Sequence, residues 1–142
     1  MINIKNITTV LAALIENDKG QFLLARRKSH LSNAGKWEFP GGKLNTFEDS
    51  ETCLKREIRE ELGLNIKVDK LFYQLKFSYP DKTIFLMAYR CVYLSGKIKY
   101  VDHDIIRWVN VAKITDYELS EADIPIAKQL QAVYQNERID RD

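Results

Sequence analysis

Cysteine, proline and glycine are all scarce in this 142-residue sequence, at two, three and six residues. Cys53 and Cys91 stand far apart and form no Cys-x-x-Cys pair. That argues against a disulfide framework or zinc ribbon and for reduced thiols in a cytoplasmic protein. No Pro/Gly/Ser linker, repeat or low-complexity tract interrupts the chain, so one domain over residues 1–142 is expected. Neither sign of charge dominates: 22 Lys and Arg face 20 Asp and Glu. Without a basic excess, no nucleic-acid polymer is expected as a partner, and a small anionic ligand is easier to support. Long apolar runs are missing too. Ile7–Ile15 is too short to span a bilayer, so no membrane partner is expected. The polar Glu16-Asn-Asp-Lys-Gly20 follows where a leader peptide would need small residues.

What is present suits a packed fold, with 45% hydrophobic and 30% charged residues. Ile7–Ile15 and Gln21–Arg26 flank the Asn17–Gly20 turn and predict a β-hairpin. Lys28–Lys36 reads as a loop, ending in Trp37-Glu38-Phe39 and the breaker Pro40-Gly41-Gly42. Ser50–Leu62 is helical in pattern, with Asp49 or Ser50 as its cap and Gly63 at C′. Leu71, Tyr73, Leu75, Phe77 and Tyr79 alternate on one strand face, and a turn at Tyr79–Lys82 leads to a partner strand over Thr83–Leu94. Ile105–Val111 predicts a shorter strand, and a last helix begins near Pro125 with Ile126, Leu130 and Val133 inward. Strands, helix, strands and helix imply a mixed α/β layered fold.

The sharpest feature is Arg56-Glu57-Ile58-Arg59-Glu60-Glu61. At about 100° per residue, Glu57, Glu60 and Glu61 crowd one helix face while Ile58 and Leu62 take the next. Three like charges repel there, near the helix end where the macrodipole also disfavours anions. A divalent cation would reverse both penalties, and hard oxygen donors suit Mg²⁺ or Mn²⁺. A solvated acidic face is the competing reading.

From Gly42 there are five residues to Glu48 and seven more to Arg56, followed by Glu57-Ile58-Arg59-Glu60-Glu61-Leu62-Gly63-Leu64. This run resembles the Nudix box at every fixed position. Phe22–Arg27, Trp37–Lys43, Asp102-His103 ahead of Arg107-Trp108-Val109, and Ala122-Asp-Ile-Pro125 resemble the MutT-type branch. The resemblance implies an α/β/α sandwich with a mixed central sheet, and Mg²⁺-dependent hydrolysis of a nucleoside triphosphate to monophosphate and pyrophosphate. Mn²⁺ is the expected substitute. It also implies a monomer or homodimer.

Carried over residue by residue, Glu57, Glu60 and Glu61 are expected to ligate the metal, beside the close backbone of Gly42. Arg56 would orient a box glutamate, and Glu48 would fix the loop against the helix; an ordinary ion pair and dipole compensation are the alternatives. Attack by water at the β-phosphorus needs a general base, either Glu57 or Asp102. Relatives commonly carry glutamate at the position of Asp102, so a turn-forming aspartate competes with a metal or base role. His103 is expected to be a loop residue. Arg27 would contact phosphate by forked hydrogen bonds, and Glu38 and Phe39 would lie near the nucleoside. Trp37 and Trp108 are expected in the core.

Asp123 matches the position where MutT-type enzymes read the base, and it is equally a natural cap for the last helix. The 8-oxo-dGTP enzymes of the branch have Asn there, whereas an ionised Asp only accepts. That leaves an oxidised purine triphosphate, 8-oxo-dGTP, or a cytidine-type triphosphate. The Trp-Glu-Phe-Pro-Gly-Gly-Lys run favours the first, a nucleotide-pool sanitiser acting for DNA repair. ADP-ribose or dinucleotide hydrolysis, RNA-end processing and a non-enzymatic nucleotide-binding module are the rivals.

Overall fold

A computed structural model describes residues 7–141, with side chains up to residue 135. Residues 1–6 and 142, which the single-domain expectation includes, lie outside the described residues. Strands β1 (Ile7–Glu16), β2 (Gln21–Arg27), β3 (Trp37–Glu38) and β4 (Gly41–Lys43) precede helix α1 (Ser50–Leu62). Strands β5 (Leu64–Tyr79), β6 (Lys82–Gly96) and β7 (His103–Asn110) follow, then two 3₁₀ turns and helix α2 (Ile124–Arg141). All seven strands join one sheet, ordered β3-β2-β1-β6-β5, with β4 added to β1 and β7 to β2. The β1–β6 pairing is parallel and the rest are antiparallel, which makes the sheet mixed.

The sheet carries one apolar cluster on each face, as an α/β sandwich requires. Leu11, Ala13, Ile15, Leu23 and Ile66 pack beneath Leu54, Ile58 and Leu62 of α1. Leu14, Phe22, Leu24 and Ala88 pack with Ile126, Ala127 and Leu130 of α2. Both alternating sets of β1 and β2 are therefore buried, which explains their continuous apolar runs. Trp37 belongs to the α2-side core, and Trp108 packs half-buried at the edge of the other, its ring edge-on to Tyr93. Among the described residues no helix is long and apolar enough to cross a membrane.

Three expectations need correction. The first hairpin survives only at its tip, where Glu16 pairs with Phe22; beyond it β1 pairs with β6 and β2 with β7. Gly41 and Gly42 of the Pro-Gly-Gly breaker belong to β4 itself, which lies against Val10–Ala12. In β5 the inward face switches: Leu64, Ile66 and Val68 face α1, whereas Tyr73, Leu75 and Phe77 face the other core. Register shifts around Leu71 cause the change and leave Leu71 exposed, because an extra residue in one strand inverts its alternation.

Candidate active site

Helix α1 is fixed at both ends. The Asp49 side chain accepts from the Thr52 amide at 2.7 Å, and Gly63 closes the helix in the left-handed region at φ 72°. With Cys53, Leu54, Ile58 and Leu62 buried, Glu57 and Glu61 are directed towards β4 and the loop edge of the sheet. A Cβ on Gly42 would lie 2.6 Å from Glu57 Oε2, so only glycine lets the loop pass this close to that carboxylate.

Arg56 ties the loop to the helix. Its Nε and Nη2 donate to the two oxygens of Glu48 at 2.8 and 3.0 Å, and Nη1 donates to Glu57 at 2.9 Å and Glu60 at 3.3 Å. The guanidinium holds the Glu48 carboxyl below its ordinary range. Glu61 moves the other way, pushed up to about 8 by burial first and then by Glu57, Asp102 and Glu38. Anions gathered in a poorly solvated pocket resist ionisation, the condition a divalent cation relieves.

A cavity of about 520 Å³ opens beside these groups. Gly42, Glu57 and Glu61 line it together with Arg27, Glu38, Phe39 and Asp123. Glu60 and Asp102 are not in its wall. Glu60 is 61% exposed and turned to Arg56, since three like charges spread and the guanidinium is the nearest cation. Asp102 lies in the loop before β7, its carbonyl accepting from the Lys28 amide, and its charge acts on Glu61. Among the described residues no group of three or more His, Cys, Asp or Glu side chains is placed to hold a metal ion, so the expected set of Glu57, Glu60 and Glu61 does not converge here. The acidic groups present are oxygen donors that fit a hard cation, with Glu57 and Glu61 nearest the glycine cradle.

At the opposite side Asp123 is buried, and its acid is raised well above the ordinary value by burial first and the Glu38 charge second, with the Phe39 backbone N–H opposing. The direction runs against the ionised aspartate expected from sequence: burial favours the neutral acid, which would donate and accept as Asn does. The helix-cap alternative also fails, because α2 continues straight from the Glu121–Asp123 turn and the carboxyl faces Phe39 instead.

His103 is another correction. It starts β7, is fully buried, and its Nε2 lies 2.8 Å from Glu38 Oε2. Sequence reasoning also missed Tyr79, Lys82, Asn33 and Ser120 in the cavity wall. Tyr79 had a signal, an aromatic beside a Pro-Asp turn at the tip of the longest hairpin. Asn33 had none.

Comparison with known proteins gives a consistent picture. A NUDIX domain model matches residues 5–130. The chain is 34% identical over 124 residues to the CTP pyrophosphohydrolase of Escherichia coli K12, covering 87% of this chain and 91% of that protein. It is 39% identical over 85 residues to the 8-oxo-dGTP diphosphatase of Haemophilus influenzae, covering 60% and 62%. The crystal structure of MutT protein from Methanosarcina mazei Go1 superposes with a TM-score of 0.79 at 29% identity, covering 92% and 95%.

Proposed function

Because this chain belongs to the NUDIX family, we propose that its cavity binds a nucleoside triphosphate, which water splits into the monophosphate and pyrophosphate. It is a hydrolase of phosphoric anhydrides, and the family generally needs a divalent metal. The observation that carries the reading is one cavity with Glu57 and Glu61 beside Gly42 on one side and the buried Asp123 on the other. Arg27 and Glu38 line the same cavity. A triphosphate needs that order: cation ligands, a phosphate fork, then a base reader.

Glu57 and Glu61 would hold Mg²⁺, or Mn²⁺ in its place, with Glu60 and Asp102 as further oxygen donors. When bound, the ion neutralises phosphate charge and makes a coordinated water more acidic. Arg56 holds Glu57 and Glu48 in place, and Arg27 offers a guanidinium to the phosphates. Glu57 or Asp102 takes the proton from the attacking water.

As the neutral acid that burial favours, Asp123 would offer one donor and one acceptor. That pair fits O6 and N7–H of 8-oxoguanine, whereas guanine presents only acceptors along that edge. The pair supports 8-oxo-dGTP over dGTP, and it fits N3 and the 4-amino group of cytosine as well. A cytidine triphosphate is the second reading, favoured by the CTP pyrophosphohydrolase that is similar over 87% of this chain. Nucleoside monophosphate release with Mg²⁺ would be measured across 8-oxo-dGTP, dGTP, CTP, dCTP, 5-methyl-dCTP and ADP-ribose, with Glu60→Gln as control. Preference for 8-oxo-dGTP over dGTP supports the first reading and preference for the cytidine set the second. Turnover of ADP-ribose alone would move the activity to nucleotide-sugar anhydrides, and no turnover would leave a nucleotide-binding module.

A further inference from the structure

We infer that His103 is a positioning residue, whose Nε2–H reaches from the buried start of β7 to hold the Glu38 carboxylate in the cavity wall. The inference rests on the reading of that cavity as a nucleotide site.

Glu38 needs holding. It lies at the end of a two-residue strand, where it pairs with Ala25 of β2, and a free Glu side chain has three torsions to fix. Its charge bears on both sides of the cavity, acting on Glu61 and on Asp123 and Tyr79. A drift of this carboxylate therefore disturbs the metal-side and base-side groups together.

The geometry supplies the hold. Strand β2 lies between β3 and β7, and His103 pairs with Arg27 where the β2–β7 register shifts. That irregularity re-aims side chains at the strand end. Arg27 Nη1 stands 3.7 Å from Glu38 Oε2, the same oxygen that meets His103 Nε2 at 2.8 Å. Both contacts fall on Oε2 and leave Oε1 to a nucleoside donor. His103 is fully buried, and its Nδ1 has no hydrogen-bond partner. A proton on Nδ1 would be a buried unpaired donor while Nε2 faced the carboxylate without one, so the proton belongs on Nε2.

The test pairs a spectroscopic with a kinetic readout. Ring ¹⁵N spectra of the wild type should show the Nε2–H tautomer, and Glu38→Ala should shift the His103 signals. His103→Phe, which keeps a ring without the donor, should lower kcat/KM for the preferred triphosphate about tenfold. His103→Gln, which keeps a donor near the Nε2 position, should recover most of the loss. On a Glu38→Ala background His103→Phe should add nothing, since it acts through a group already removed. An Nδ1–H ring, His103 signals indifferent to Glu38→Ala, or additive kinetic losses would each overturn the assignment. Should His103→Phe not fold, the ring spectra decide. Should the wild type turn over no triphosphate, the proposed function fails, and the same spectra still confirm or overturn the His103–Glu38 pair.

Discussion

Glu57 occupies the space a side chain at position 42 would need: a Cβ on Gly42 would sit 2.6 Å from its Oε2 and 2.8 Å from its Oε1. The obstructing atoms are the far end of a flexible side chain, so Gly42→Ala can be accommodated by swinging Glu57 aside. The fold should survive with a nearly unchanged melting temperature, while kcat falls roughly 10²-fold from a misplaced group. An unchanged kcat would show that Glu57 has no fixed catalytic position.

Arg56 makes two bonds to Glu48 and one to Glu57, a forked pattern that Lys cannot reproduce. Arg56→Lys should lower activity about 10–100-fold, as loss of a partner that orients a metal ligand does. The Mg²⁺ concentration needed for half-maximal rate should rise as well. Titrating the metal separates the two roles: a lower melting temperature with an unaltered Mg²⁺ requirement would make Arg56 a loop clamp only.

Glu61 gives a pH signature. Its acid stands at about 8 in the folded chain against an ordinary 4.5, through burial and the neighbouring Glu57, Asp102 and Glu38. The folded form holds that proton more tightly than the unfolded form, so stability is full below the lower value and declines as pH rises through the interval to the upper one. Metal-free protein should therefore melt at lower temperature at pH 8 than at about pH 5, with Mg²⁺ removing the difference. Glu61→Gln should flatten the slope, and a slope unaltered by that change would assign it to other groups.

Phe47 sits in the left-handed region at φ 67° with its ring fully exposed. An L-residue there costs about 1–2 kcal/mol, part of which glycine returns through its larger unfolded-state entropy. Phe47→Gly should raise the unfolding free energy by a net of up to about 1 kcal/mol, seen as a higher urea midpoint with the slope unchanged. A lower midpoint would mean that the ring makes a stabilising contact.

Helix α1 was legible because everything that defines it is local: a cap at Asp49, a 3.6-residue apolar stripe, Gly63 at the end and carboxylates spaced along one face. The β5–β6 hairpin was legible for the same reason, through its alternation and its Pro-Asp turn. Pairings between distant segments left no such trace. Nothing near Ile7 announces Thr83 as its parallel partner, and the bulges around Leu71 invert an alternation that looks unbroken in sequence. At the site, box spacing singled out Gly42, Glu57, Glu60 and Glu61 together, but side-chain direction was hidden: Gly42, Glu57 and Glu61 line the cavity, whereas Glu60 and Asp102 do not. His103 looked like a loop residue because its neighbours are polar, and its partner Glu38 is 65 residues away. Burial, the quantity that decides how His103 and Asp123 behave, belongs to the assembled fold.

Asp123 carries the last prediction, because its protonation determines what it can read. It is 6% exposed, and Glu38 and Tyr79 are among the titratable groups that interact with it. Burial and then Glu38 raise its acid well above the ordinary value, so the neutral form persists to higher pH and is lost as pH climbs through the raised value. Losing it removes the donor and leaves a base reader that only accepts. Asp123→Asn keeps a donor and an acceptor at every pH. It should retain the base preference of the wild type and remove the part of the alkaline fall in kcat/KM that belongs to this carboxyl. Asp123→Ala should lower kcat/KM about tenfold, equivalent to roughly 1.4 kcal/mol, with the loss mainly in KM. The decisive comparison is Asn against Ala at neutral pH. If Asn is as poor as Ala, the carboxyl reads its base as an anion, and the donor–acceptor argument for 8-oxoguanine falls with it.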